Sequence, residues 1–308
     1  MIAHVRPDII LLTNFDYDAS LVAARAFSAR IAASGWALPH AFAFAPNTGV
    51  RTGLDIDGDG YNSGPRDMQG YGAFPGQGGM VILSRVAPLV QDSQDFSDFL
   101  WADLPDNAQR LEGGLADVQR LSSVGHWRVS YDIGPERLDV LAWHAGTPAF
   151  DDASKRNARR NGDENRFWMA FLDGELDITA PQNPFVLMGT SNLDPYDGQG
   201  QRRVMTELLG HPALQDPRPQ SPGAARAAQK DGGANAGHRG DPSFDTADFR
   251  DEKGPGNLRV DYVLPSKLLT VLQSGVFWPD PDSPHQSMVW ARDPQRSWHA
   301  IVWADLGF

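Results

Sequence analysis

The residues able to do chemistry in this chain gather where its apolar runs end. Asn14, Asp16 and Asp18 follow Asp8-Ile-Ile-Leu-Leu12, and His144 closes the run that begins at Leu138. Thr190, Asn192 and Asp194 follow Phe185-Val-Leu-Met-Gly189. Asp261 stands inside Arg259-Val-Asp-Tyr262, and His299 opens the last apolar run. Polar residues at the ends of neighbouring buried strands can converge on one edge of a sheet. There His exchanges a proton near neutral pH, Asp orients it, and Asn and Thr supply neutral hydrogen bonds.

Other polar groups have competing readings. Asp55-Ile-Asp-Gly-Asp-Gly60 has acidic residues at positions 1, 3 and 5 and Gly at 6, as in a calcium loop. Position 12 is Arg66 rather than Glu, so Asp55, Asp57 and Asp59 read either as a structural calcium site or as a solvated acidic turn. Arg156, Arg159, Arg160 and Arg166 fall on one charged helix. They form either a phosphate-facing patch or, as the favoured reading, a surface of ion pairs with Asp152, Asp163 and Glu164. Arg239-Gly-Asp241 is too short to carry specificity. His4, His40, His126, His211, His238 and His285 show no metal-like spacing.

Elements must hold these residues in place. The run Ile9–Leu12 predicts a strand buried on both faces, followed by a helix over Leu21–Ala33 with Asp18 as its cap and Gly35 as its stop. Ala41–Ala45 and Met80–Ser84 predict strands on either side of a Gly-rich loop, Pro46–Gly79. Trp127–Ile133 alternates and Leu138–His144 follows the turn Gly134-Pro135, which predicts a hairpin. A helix is expected over Ser154–Leu172, a strand over Phe185–Gly189 and a short helix over Val204–Leu209. Residues 210–257, rich in Pro, Gly and Ala, lack periodicity and read as a long insertion loop or partly disordered flap. Strands resume at Leu258–Leu264, near Thr270–Trp278 and at His299–Asp305. Strands on both sides of the insertion make residues 1–308 one α/β domain.

Composition sets limits. The chain has no cysteine, which removes disulfides, thiolate metal sites and cysteine nucleophiles. Its net charge of −12 argues against non-specific nucleic-acid binding, which draws on Lys and Arg. No apolar run reaches the roughly 20 residues of a membrane-spanning helix, and Ile9–Leu12 is too short for a signal-peptide core.

Several motifs together resemble the endonuclease/exonuclease/phosphatase superfamily, in its bacterial phosphatase- or phytase-like branch. They are Pro7-Asp-Ile-Ile-Leu-Leu-Thr-Asn-Phe-Asp-Tyr-Asp18, Asn47-Thr-Gly-Val-Arg-Thr-Gly-Leu-Asp-Ile-Asp-Gly-Asp-Gly60 and Phe74-Pro-Gly-Gln-Gly-Gly-Met-Val-Ile-Leu-Ser-Arg85. Arg156-Asn-Ala-Arg-Arg-Asn161, Gly189-Thr-Ser-Asn-Leu-Asp-Pro195, His238-Arg-Gly-Asp-Pro-Ser-Phe-Asp-Thr-Ala-Asp-Phe249 and Gly256-Asn-Leu-Arg-Val-Asp-Tyr-Val-Leu-Pro265 follow in order. The resemblance implies a four-layer α/β sandwich: two mixed sheets face to face, helices outside, the site at one edge. It also implies phosphoester hydrolysis with a divalent cation, usually magnesium, on a phosphorylated small molecule or a nucleic acid.

By the same resemblance His144 and His299 match the family's two histidines, Asn192 its Asn, and Asp261 the Asp that orients the last His. The carboxylates depart from the pattern. Asn14 stands for the metal-binding Glu, and Thr190 and Trp298 stand where two Asp residues are expected. Gly125-His-Trp-Arg128 replaces an expected Ser-His-Trp-Asp, and the chain begins after the family's usual first strand. Magnesium depends on carboxylates, so the expectation is weak or absent metal binding and little or no turnover. The alternative is an active enzyme in which Asp16, Asp18 or Asp194 serves as a substitute ligand.

Overall fold

Side-chain alternation along the strands sorts this sequence into layers. The computed structural model describes residues 1–109, 113–151, 153–288 and 297–308. Strands β1 (Ile9–Phe15), β2 (His40–Phe42) and β3 (Gly79–Ser84) form an antiparallel sheet in the order β1-β3-β2. Strands β4 (Gln94–Asp95), β5 (Gly125–Ile133), β6 (Glu136–His144) and β7 (Phe185–Thr190) join a later strand, β10 (Asp261–Pro265), in a second sheet ordered β10-β7-β6-β5-β4. This sheet is mixed: β6 and β7 run parallel and its other pairs antiparallel.

The two sheets face each other. Met80 and Ile82 of β3 point inward and meet Trp127, Val129 and Tyr131 of β5 and Val140 and Ala142 of β6. Their neighbours point the other way, as period-two alternation requires. Val81 and Leu83 pack with Ala24 and Ile31 of helix α2 (Val22–Ala33), which follows the short helix α1 (Ile2–Val5). Leu141 and Trp143 pack with Phe167, Trp168 and Phe171 of helix α3 (Arg156–Leu172) and with Met205 and Leu208 of α4 (Arg202–Leu209). Helix, sheet, sheet and helix make four layers, as expected. The predicted hairpin is β5-β6, in register from Gly125↔His144 to Ile133↔Glu136.

The segment 210–257 corrects the expectation of a structureless insertion. It holds helix α5 (Pro222–Asp231) and strand β8 (Ala247–Asp248), which pairs with β9 (Asn257–Leu258). Ser221 caps α5 by accepting from the Gly223 N–H, with Pro222 at the first helical position. Ala224 and Ala227 then press against Val276 of β11 (Thr270–Phe277), Trp278 and Ala300, just before β12 (Ile301–Gly307). Small residues allow this close approach without an apolar stripe in the sequence. The expected strand Leu258–Leu264 is likewise two strands, β9 and β10, broken at Arg259 and Val260. Among the described residues no helix is long and apolar enough to cross a membrane.

Candidate functional site

Strand register brings the central residues into line. Thr190 ends β7, opposite His144 on β6 and opposite Asp261 on β10. Its hydroxyl donates to Asp261 Oδ1 at 2.6 Å and lies 3.1 Å from the Thr13 hydroxyl on the facing sheet. His299 Nδ1 donates to Asp261 Oδ2 at 2.7 Å, and the Thr246 hydroxyl donates to the same oxygen at 2.9 Å. His299 is placed by a bridge to Ala247, and the next residue's N–H, that of Ala300, donates to the Thr246 carbonyl. Asn192 leaves β7 with φ of 53° and donates from its amide to the Ala145 carbonyl at 2.8 Å, directly after His144. His144, Asn192, Asp261 and His299 therefore share one edge: the first three come from the five-stranded sheet and His299 from the residues before β12.

Electrostatics divides the two histidines. Burial disfavours a charged His299, but the Asp261 carboxylate overrides it and holds the imidazole above its ordinary range. Burial likewise pushes the Asp261 carboxyl up, and His299 with the two hydroxyl donors outweighs this and draws it down. The two form an ion pair. On His144 the pull of Asp261 is outweighed: burial, reinforced by charge on His299, lowers it to about 4, and among the described residues its buried Nδ1 has no hydrogen-bond partner. Asp261 favours the charged form of one imidazole, and burial favours the neutral form of the other.

Of the three positions expected to lack carboxylates, Thr190 sits inside the cluster, and the other two are exposed. Asn14 is exposed at a bulge between Thr13 and Phe15, with φ of 57°, a left-handed conformation that Asn tolerates. Gly78 lies beneath it, and a Cβ there would come within 2.8 Å of Asn14 Oδ1. Trp298 is 53% exposed. None of the proposed substitute ligands joins the cluster through a hydrogen bond. Asp16 accepts from the Gly78 N–H, and Asp18 accepts from Val22 and Ala23 at the start of α2. Asp194 accepts from the N–H groups of Tyr196, Asp197 and Arg259.

Magnesium binds protein through carboxylates together with water and substrate oxygens. The cluster supplies one carboxylate, Asp261, and both of its oxygens already accept hydrogen bonds. Among the described residues, two trios of acidic side chains bring ligand oxygens within 4.8 Å of one another: Asp55, Asp57 and Asp59, and Asp231, Asp248 and Asp251. Neither trio includes a member of the cluster. In the first, Asp55 is occupied by the N–H groups of Gly58, Asp59 and Gly60, the pattern of a solvated turn. The donor set around Thr190 does not fit a magnesium ion.

The model of the endonuclease/exonuclease/phosphatase family matches residues 1–290. The chain belongs to this family. A family member of known structure from Beutenbergia cavernae DSM 12333 is 19% identical with a TM-score of 0.56, over 99% of this chain and 64% of that one. This chain thus spans less than two thirds of that relative's length. A family protein from Leptotrichia buccalis C-1013-b is 12% identical with a TM-score of 0.51, over 100% of this chain and 90% of the other. Such likenesses speak to the fold. No curated protein matches the chain by sequence.

Two parts of this family member escaped sequence reasoning. Thr13 and Thr246 complete the hydrogen bonding of the edge, yet a lone hydroxyl has no spacing to betray it. The arginines of α3 correct the expected surface of ion pairs in part, since the Arg166–Asp163 pair is present and the others turn to different partners. Arg160 is buried and donates to the carbonyls of Gln69, Arg120, Leu121 and Ser122. Glu164 is buried beside it, accepting from Ser123 N–H at 2.5 Å and Gly146 N–H at 2.7 Å, and burial raises it to about 7. Arg156 reaches Gln119, Arg159 reaches the Ser154 carbonyl, and Arg166 pairs with Asp163 at 3.5 Å. Asp152 lies outside the described residues. His126, another buried imidazole lowered to about 4 by burial, bonds Ser122 and the Glu164 carbonyl. The helix's charged face holds the loops that follow β6 and precede β5, so its role is structural.

Proposed function

We propose that this chain keeps the phosphoesterase scaffold of its family with little or no turnover, and that it holds a phosphorylated molecule through hydrogen bonds in place of a metal. The observation that carries this reading is the fully engaged Asp261 beside neutral Thr190 and exposed Asn14. Hydrolysis would need a cation to activate water and neutralise the phosphoryl oxygens. Acid–base assistance from histidine alone contributes only about 10²–10⁴-fold. A charged His299 keeps Nε2–H for an anion, and the Asn192 amide, which gives one hydrogen to the Ala145 carbonyl, keeps its second at the same edge. The magnesium, and an active phosphatase or nuclease, belong to the family's pattern and find no support in this donor set.

The test is hydrolysis of an aryl phosphate monoester and diester with magnesium and with a chelator, on the native chain and on Asn14→Glu/Thr190→Asp/Trp298→Asp. The native chain should show no chelator-sensitive turnover, and the triple variant should gain it. Chelator-sensitive hydrolysis by the native chain would overturn the proposal. Inorganic phosphate should shift the His299 ring resonances of the native chain without added metal.

A further inference from the structure

The motif His238-Arg-Gly-Asp-Pro-Ser-Phe-Asp-Thr-Ala-Asp-Phe249 leads directly into the candidate site. Thr246 spends every polar group it has there. Its N–H donates to the Leu258 carbonyl, and its carbonyl accepts from Ala300, the residue after His299. Its hydroxyl accepts from the N–H groups of Val260 and Asp261 and donates to Asp261 Oδ2. A displacement of Thr246 therefore reaches both members of the His299–Asp261 pair.

Directly before Thr246 stands Asp245, 6% exposed. Its N–H donates to the Pro242 carbonyl and closes the short turn Pro242–Phe244. Its Oδ2 is enclosed and, among the described residues, accepts no hydrogen bond. The charges that bear on it are negative: Asp194 and Asp197 from the segment after β7, and Asp241 from its own turn. Each of those three receives backbone N–H groups. Asp194 takes those of Tyr196, Asp197 and Arg259, Asp197 those of Arg239 and Gly240, and Asp241 that of Ser243. The basic side chains of the surrounding elements are committed elsewhere. Arg259 makes two hydrogen bonds to Asp216, at 2.6 and 2.9 Å, and Arg202 and Arg239 reach the Tyr196 carbonyl. Arg226 of α5, which packs on the turn, pairs with Asp280 and Asp282.

An ionised carboxylate enclosed without a donor or a counter-charge is strongly disfavoured. A cation or a proton would relieve it. Among the described residues the acidic trios whose oxygens converge closely enough for one ion lie elsewhere, so the proton is the better fit. Burial, joined by the three anions, pushes the Asp245 carboxyl up to about 8.

We propose that Asp245 is a proton-operated latch on the candidate site. As a neutral acid it lets its turn seat Thr246 against Asp261 and Ala300. As an anion it is repelled by Asp194, Asp197 and Asp241, the turn lifts, and the His299–Asp261 pair loses its support. A carboxyl raised by folding contributes stability that is complete below its unfolded value and is lost as pH rises to the folded one. The latch is thus shut in neutral solution and open in base. This device operates whether or not the edge binds phosphate.

The test reads the proton and the latch separately, by nuclear magnetic resonance on the full chain. The Asp245 carboxyl carbon should keep its acid-form shift at about pH 6.5 and change near the raised value. The Ala300 and Val260 amides, corrected for intrinsic rates, should lose protection by about tenfold or more between about pH 6.5 and 9, with the same midpoint. Asp245→Asn, which cannot ionise, should abolish that loss. An Asp245 carbon that titrates in the ordinary carboxylate range overturns the proposal, as does a midpoint for the amides that differs from that of the carbon. An equal loss of protection in Asp245→Asn overturns it too. Calcium chloride that restores Ala300 protection in base to the native chain, but not to Asp245→Asn, would make a cation the neutralising group and overturn it likewise.

Discussion

Thr190 donates to Asp261 Oδ1 at 2.6 Å from the register position that also faces His144. The hydroxyl thus fills, with a neutral donor, a place where a carboxylate would meet a second carboxylate. Thr190→Asp on its own should set two anions against each other and lose the hydrogen bond, which for a charged acceptor is worth about 1.5–3 kcal/mol. Thermal melting in chelator should fall accordingly, and magnesium should recover part of the loss. A Thr190→Asp protein that melts no lower than the native chain would contradict the arrangement.

Asp261 is the sole source of the upward displacement of His299, because burial acts on that ring in the opposite direction. Asp261→Asn should therefore bring His299 below its ordinary value, not merely back to it. Titration of the His299 ring signals by nuclear magnetic resonance reads this directly. The substitution leaves Thr190 and Thr246 with a neutral acceptor, so a stability loss of about 1–3 kcal/mol near pH 6 is expected.

Acid should act through two buried imidazoles, His144 at this edge and His126 beneath α3. Both imidazoles are lowered to about 4 by burial, so the unfolded chain binds protons that the folded chain refuses between pH 6.5 and 4. Stability falls as pH drops through that window, by up to about 3 kcal/mol for each ring at 1.36 kcal/mol per unit. The His299–Asp261 pair has the opposite sign at its upper limit. With His299 raised, its contribution is complete below the unfolded histidine value and is lost as pH rises through the folded one. With Asp261 lowered, its contribution is complete above the unfolded carboxyl value and is lost as pH falls through the folded one. Denaturant melts of His144→Gln from pH 4 to 8 should show a shallower acid limb than the native chain.

The layers were legible because alternation is a local signal. Trp127, Val129 and Tyr131 share one face of β5 as their spacing predicts, and all meet the opposing sheet. The cluster was legible for a second reason: strand ends converge, so His144, Asn192, Asp261 and His299 meet though they span 156 positions of chain. What escaped depended on distant partners. Helix α5 buries alanines against Trp278 and Ala300, and no stripe of large apolar residues marks such a face. The charges of Arg160 and Glu164 read as solvated because unpaired burial of such groups is rare. Their burial is set by loops carrying Gln69, Ser122 and Gly146, none of which the helix sequence encodes.

Arg160 and Glu164 make the largest mutational effects predictable. Glu164 receives two backbone N–H groups, one on each oxygen, and a Gln can accept through only one of its two terminal atoms. Glu164→Gln should turn its amide onto the N–H of Ser123 or Gly146 and cost about 1–3 kcal/mol, the desolvation of an unmet donor. Arg160→Met strips donors from four carbonyls and leaves Glu164 buried without a counter-charge, so about 3–5 kcal/mol is expected. The loss from Arg160→Met should grow as pH rises above 7. Glu164 is raised by burial even with Arg160 present and stays protonated at low pH, where its missing partner matters less. Because the two side chains share one network, Arg160→Met/Glu164→Leu should be less destabilised than the sum of Arg160→Met and Glu164→Leu alone. Urea denaturation of the three variants at pH 6 and pH 8 measures both the coupling and its pH dependence. Additive losses at both pH values would show that the two residues do not act as a buried pair.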